Sequence, residues 1–179
     1  MKYVTISGYA QHGKDTVAKF LKEILEENNK KVLIVHYADY LKFICEKYFG
    51  WNGIKDETGR QLLQQFGTNI IRQRNSKFWV NIICELSDVL QEEYDYILVP
   101  DCRFPDEVET PKKDYDFNVI SIHVARYENG KLFDNGLTEE QKNHISETSL
   151  NTFIFDYYVY NNSNLAILKE NLRKIANKI

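Results

Sequence analysis

Five short runs along the chain are rich in β-branched and aromatic residues: 3–7, 32–36, 94–100, 119–125 and 156–160. Each has the length and composition of a buried strand. Between them the apolar positions change to helical spacing. Val17, Phe20, Leu21, Ile24 and Leu25 share one side of a turn-by-turn pattern, with Lys and Glu opposite, and Leu165, Leu168, Leu172 and Ile175 repeat it near the end. Strands alternating with amphipathic helices predict an α/β fold, a five-stranded and mostly parallel sheet with helices on both faces, in one domain spanning 1–179. Two stretches depart from simple alternation. Residues 37–93 are too long for one crossover and read as a helical insert punctuated by Gly50, Gly53 and Gly67. Residues 127–143 are polar, contain Gly130 and Gly136, and read as a loop or short lid, with the lid region extending over about 126–147.

Composition narrows the classes. The 179 residues carry a formal net charge of -3, against the basic surplus of a general nucleic-acid binder, so no nucleic-acid partner is expected. Cys45, Cys84 and Cys102 are odd in number and far apart, which fits neither a disulfide framework nor a zinc site and suits a reducing cytoplasm. No apolar run is long enough for a membrane span, and the chain enters its first strand directly after Met1-Lys2. His12, His36, His123 and His144 lack metal-ligand spacing, and His36 and His123 read as strand residues.

The strongest chemical signal is Gly8-Tyr9-Ala10-Gln11-His12-Gly13-Lys14-Asp15-Thr16, of the form G-x4-G-K-D-T, between the first strand and an amphipathic helix. Glycines let backbone wrap a phosphate, successive N–H groups point inward, and the helix start adds partial positive charge. Gly8, Gln11, His12, Gly13, Lys14, Asp15 and Thr16 are therefore candidates to bind ATP, with Lys14 as a mobile charge for the β- and γ-phosphates. Asp15 stands where a hydroxyl residue usually ligates Mg2+, and a carboxylate can hold the ion directly or through water. The alternative is a tight strand-to-helix turn with a surface lysine. The pattern makes the fold a P-loop type, three-layer α/β/α.

Other candidates gather at predicted strand ends. Asp101 ends the third strand beside the loop, where it can hold a metal-bound water or cap a helix; Arg103 can meet a phosphate or form a surface ion pair. Asp39 follows the second strand and either faces a sugar or base or caps a helix over 40–48. In the insert, Arg60, Arg72 and Arg74 precede Trp79; arginines can bind a monophosphate and an aromatic can stack a base, although a solvated helix face and a core tryptophan are the plainer readings. Arg126 ends the fourth strand near the lid, where it can cover transferring phosphates or pair at the surface.

Taken in order, Gly13-Lys14-Asp15-Thr16, Ala38-Asp39-Tyr40-Leu41-Lys42, Phe66-Gly67-Thr68-Asn69 with Arg72 and Trp79, Asp101-x-Arg103-Phe104, and His144-Ile145-Ser146-Glu147 resemble the deoxynucleoside monophosphate kinases of phages and bacteria. The resemblance implies an adenylate kinase-like core with a nucleotide-holding insert and a lid. It implies Mg2+-dependent transfer of the ATP γ-phosphate to a (deoxy)nucleoside monophosphate. Lys14 and Thr16 would hold ATP phosphates, Arg72 and Arg103 would contact transferring phosphate, and Asp39 would lie near the acceptor, with Arg74, Glu147 and Arg126 as further contacts. A kinase of another phosphorylated acceptor, of the phosphomevalonate or dephospho-coenzyme A type, and a nucleotide-binding switch remain open, as do monomer and homodimer.

Overall fold

The computed structural model describes residues 1–162 and 164–179. Its central sheet is built from β1 (Lys2–Ser7), β2 (Val32–Ile34), β3 (Tyr96–Cys102), β4 (Asn118–Ala125) and β7 (Tyr157–Tyr160), in the order β2-β3-β1-β4-β7. Every pair in that sheet is parallel, and the central strands β1 and β3 are buried on both faces. Side chains alternate accordingly. Val4, Ile6, Leu98, Ile122 and Val124 pack under α1 (Lys14–Glu27) and α8 (Leu165–Ala176), whose Val17, Leu21, Ile24, Leu168 and Leu172 form the predicted apolar stripes. Tyr3, Ile97 and Val99 point the other way, toward Val80 and Cys84 of α4 (Phe78–Val89) and Val108 of α5 (Asp106–Lys113).

Two strand ends differ from the sequence reading in ways that matter for the site. β2 stops at Ile34, so His36 lies beyond it in the connection to α2 (Ala38–Phe49) rather than in a strand. β3 continues through Cys102, which puts Asp101 inside the strand, at the irregularity between the Thr5–Val99 and Ser7–Cys102 pairs, instead of just after it.

The insert consists of α2, α3 (Glu57–Gln64), a π-helical segment (Gln65–Arg72) running on from α3, and α4. Leu41, Cys45, Trp51 and Trp79 give it a core of its own. The polar stretch after β4 folds as a two-stranded antiparallel hairpin, β5 (Tyr127–Glu128) and β6 (Lys131–Leu132), followed by α6 (Glu139–Asn143) and α7 (Ile145–Thr148). Thr138 and Gln141 form a reciprocal capping box that starts α6. All three cysteines are buried and free. Among the described residues no helix is long and apolar enough to cross a membrane.

Candidate active site

The loop between β1 and α1 takes its shape from two glycines. Gly8 has φ 144°, and a Cβ there would collide with the Val124 carbonyl of the neighbouring strand. Gly13 has φ 94° and serves as the N-cap of α1, against the amide of Asn161. A side chain at either position would meet both strain and a neighbour. Asn161 in turn donates to the His12 carbonyl at 3.1 Å. Lys14 opens α1 and folds back over the loop, its Nζ donating to the carbonyls of Gly8 (2.8 Å) and Tyr9 (2.9 Å). Burial, reinforced by the charge of Arg103, pulls its ammonium down to about 7. An anion in the loop would reverse that shift.

The remaining loop residues divide by direction. Thr16 is half-buried one turn into α1. Gln11 is exposed, holds a positive φ of 63°, and donates its side-chain amide to the Asn135 carbonyl, between β6 and α6, at 3.1 Å. His12 turns inward: its Nδ1 accepts the Arg126 N–H at 3.0 Å, tying the loop to the end of β4, and its ring is buried. The imidazole is therefore structural, and only the backbone of His12 can face a ligand. The Asp15 side chain is 84% exposed, with one oxygen 3.2 Å from His36 Nε2, and Nδ1 of the same ring lies 3.3 Å from Asp39. The bond to Asp15 raises the His36 pKa and lowers that of Asp15. His36 thus bridges the two carboxylates from the connection between β2 and α2.

A cleft of about 170 Å³ opens between this edge, the helical insert and residues 137–147. Lys55, Arg60, Arg72 and Arg103 supply positive charge to its lining, and Leu41, Leu63 and Trp79 supply an apolar wall. Its acids are already engaged. Asp101 reaches out of β3 and accepts the N–H groups of Tyr37 (2.9 Å) and Ala38 (3.0 Å), fixing the first turn of α2 to the sheet edge. Glu147 of α7 pairs with Arg103 and accepts the Ala10 N–H of the phosphate loop at 3.3 Å, so one carboxylate joins α7, the loop and the arginine. Arg103 also donates to the Ser146 carbonyl at 3.1 Å.

Glu107 was not singled out from sequence, yet it organises this corner. Its Oε2 accepts the backbone N–H groups of Arg103 (2.6 Å) and Phe104 (3.1 Å), and its Oε1 accepts from Arg72 at 3.0 Å. Arg72, buried, also pairs with Asp106 and lies 3.7 Å over the Phe104 ring. Burial raises the Glu107 pKa to about 7, against the pull of Arg72 and the Arg103 N–H. The visible signal was an acidic first turn after Phe104-Pro105, the pattern of a carboxylate returning to cap its own helix.

Of the other candidates, Arg74, Asp39 and Arg126 stand apart from the cleft. Arg74, two residues beyond Arg72 and thus on the far side of the helical segment, is exposed and does not line it. Asp39 sits in the first turn of α2 beside it, held by Lys42 at 2.7 Å. Arg126 stacks 4.0 Å over Phe133 and pairs with Glu128 on the hairpin. Trp79 contributes to the wall while its Nε1 donates to the Gly67 carbonyl at 3.0 Å, a core tryptophan with one side toward the cleft. Among the described residues no group of three or more His, Cys, Asp or Glu side chains forms a metal cluster. Mg2+ carried by a polyphosphate needs only one or two protein carboxylates, and the exposed, singly engaged Asp15 suits that demand.

A sequence profile described as deoxynucleotide monophosphate kinase matches residues 24–172. No curated protein matches the chain. Among solved structures, an APS kinase from Mycobacterium tuberculosis aligns over 98% of this chain and 96% of its own, at 9% identity and TM-score 0.54. A gluconokinase from Sinorhizobium meliloti aligns over 99% of this chain and 92% of its own, also at 9% identity and TM-score 0.54. At such identities the likeness is one of fold, a parallel sheet flanked by helices.

Proposed function

The chain belongs to the deoxynucleotide monophosphate kinase family, and from that premise we propose that it transfers the γ-phosphate of ATP to a (deoxy)nucleoside 5'-monophosphate, giving ADP and the diphosphate. The observation that carries the reading is the pair of adjoining anion-ready places: the loop around Lys14, and a separate cleft lined by Lys55, Arg60, Arg72 and Arg103. A protein that only senses a nucleotide needs one.

In this reading the loop N–H groups and Lys14 hold the β- and γ-phosphates, with Thr16 as a further donor. The Lys14 ammonium exchanges the Gly8 and Tyr9 carbonyls for phosphate oxygens. The acceptor lies in the cleft with its phosphate toward Arg72 and Arg103. One of its phosphate oxygens attacks the γ-phosphorus in line, and the bond from that phosphorus to the bridging oxygen of ADP breaks. Arg103, between loop and cleft, balances the charge spread over the equatorial oxygens. Asp15 would hold Mg2+, with Asp101 reaching it through water, and the ion would neutralise phosphate charge. The lid residues around Glu147 and Gln141 close the cleft against water. Asp39 and His36 set the edge where the two nucleotides meet, and Arg126 lies on the lid side. Arg74 would join only if the helical segment turned.

A bisubstrate dinucleotide, two nucleosides joined by five phosphates, tests the reading by calorimetry. Binding at least about 100-fold tighter than ATP is expected, because both places are filled by one molecule. Affinity no better than that of ATP would point to a one-site switch. A kinase of phosphomevalonate or dephospho-coenzyme A type would be betrayed by turnover with those acceptors and none with nucleotides.

A further inference from the structure

The insert presents three polar side chains to the cleft in a row. Gln64 ends α3, and Thr68 and Arg72 follow within the π-helical segment, each four residues after the last. Positions four apart are neighbours on one helical face, and all three line the cleft. The row spans roughly 10–12 Å at a helical rise of about 1.5 Å per residue, comparable to a nucleoside monophosphate from phosphorus to the far edge of its base. Arg72 marks the anionic end, beside Glu107.

The rest of the segment is committed elsewhere. Asn69 donates to Gln65 at 3.1 Å on the exposed side, and the Gly67 carbonyl is taken by Trp79. Gly67 is closed to any side chain by Leu41, whose methyl group would meet a Cβ at 2.5 Å. The Gln64 amide and Thr68 hydroxyl, by contrast, are half-buried, line the cleft and bond no protein group among the described residues. Half-buried polar groups beside an apolar wall of Leu41, Leu63 and Trp79 are placed for a ligand that brings its own donors and acceptors.

We propose that Gln64 and Thr68 read the base of the acceptor nucleotide: the Gln64 amide pairs with a base edge presenting a donor beside an acceptor, and the Thr68 hydroxyl takes a third contact nearer the sugar. This rests on the kinase reading above. It assigns base choice to this row rather than to Trp79 or Asp39.

The experiment measures kcat/KM for dAMP, dGMP, dCMP and dTMP with the full chain, and with Gln64→Leu and Thr68→Val. The readout is the ratio between best and worst base within each protein, which does not depend on how much of a preparation is folded. The wild type should discriminate at least about 10-fold. Gln64→Leu should shrink its ratio by about 10- to 100-fold or to unity, as expected for a lost bidentate pair, and Thr68→Val by about 3- to 10-fold. KM for ATP should stay within about twofold. Wild-type ratios in both variants, or an indiscriminate wild type, would overturn the assignment while leaving the kinase standing. A wild type inert toward all four would remove both.

Discussion

Replacing Glu107 by Gln changes one atom of a buried clamp, and the outcome can be worked from its contacts. The carboxylate serves two sides at once: Arg72 at 3.0 Å on one oxygen, and the N–H groups of Arg103 and Phe104 at 2.6 and 3.1 Å on the other. An amide has a single acceptor. If its oxygen faces Arg72, its NH2 confronts two backbone donors. Two orphaned donors cost about 2–6 kcal/mol. Against this, the variant no longer buries a charge. The rise of the carboxyl from 4.5 to about 7 corresponds to about 3 kcal/mol. The net effect runs from about 1 kcal/mol of stabilisation to about 3 kcal/mol of destabilisation, so the variant folds. Activity has no such compensation. The turn carrying Arg103 loses both of its bonds to Glu107, and a displacement of about 1 Å at a transferring phosphate costs on the order of 100-fold in kcat/KM.

Two pH effects of opposite sign accompany this. The native carboxyl binds its proton more tightly than the unfolded one between pH 4.5 and about 7, so its contribution to wild-type stability falls as pH rises through that window. Only the ionised form accepts on both sides, so activity should rise through the same window. Glu107→Gln should show neither limb. Urea melts and coupled turnover between pH 5 and 8 measure both. Wild-type kcat/KM in a folded Glu107→Gln protein, or an unchanged acid limb, would refute the clamp.

Three further outcomes follow from the loop and its surroundings. Lys14, held near 7 without phosphate, gains a proton when an anion fills the loop, so ATP binding at pH 8 should take up close to one proton and weaken by up to about tenfold per pH unit above 7; calorimetry in two buffers of different ionisation enthalpy reads this, and equal uptake by Lys14→Ala would contradict it. Asp101→Asn leaves one of the Tyr37 and Ala38 N–H groups facing an NH2, and should cost about 1–3 kcal/mol in a denaturant melt while raising KM for the acceptor more than KM for ATP. Gly8→Ala drives a methyl group into the Val124 carbonyl at φ 144°, and should weaken ATP binding more than about tenfold in a nucleotide titration.

The sheet and its two covering helices were legible because their signals are local. Val17, Leu21 and Ile24 declare a buried helix face, and runs such as 119–125 declare strands. The loop was legible for the same reason, since a strand, two glycines and a lysine are contiguous. What escaped depends on contacts across the chain. Nothing near Glu107 announces that Arg72, 35 residues earlier, will donate to it. His36 reads as part of a strand, but β2 ends at Ile34 and His36 bridges Asp15 and Asp39, residues that no local pattern brings to it. His12 sits in the loop motif, yet its ring points away because Arg126, 114 residues later, supplies its hydrogen bond. The π-helical winding over Gln65–Arg72 left no signature in the apolar pattern, and nothing local announced that the face carrying Gln64, Thr68 and Arg72 would line the cleft.

The most direct test of the account is ADP release in a coupled assay, with Mg-ATP and a panel of ribo- and deoxynucleoside monophosphates, for the wild type and Lys14→Ala. The account predicts ADP formation that depends on a monophosphate acceptor, yields the matching diphosphate, and falls by at least about 100-fold without the Lys14 ammonium. ATP binding with no acceptor-dependent ADP from any monophosphate would contradict it.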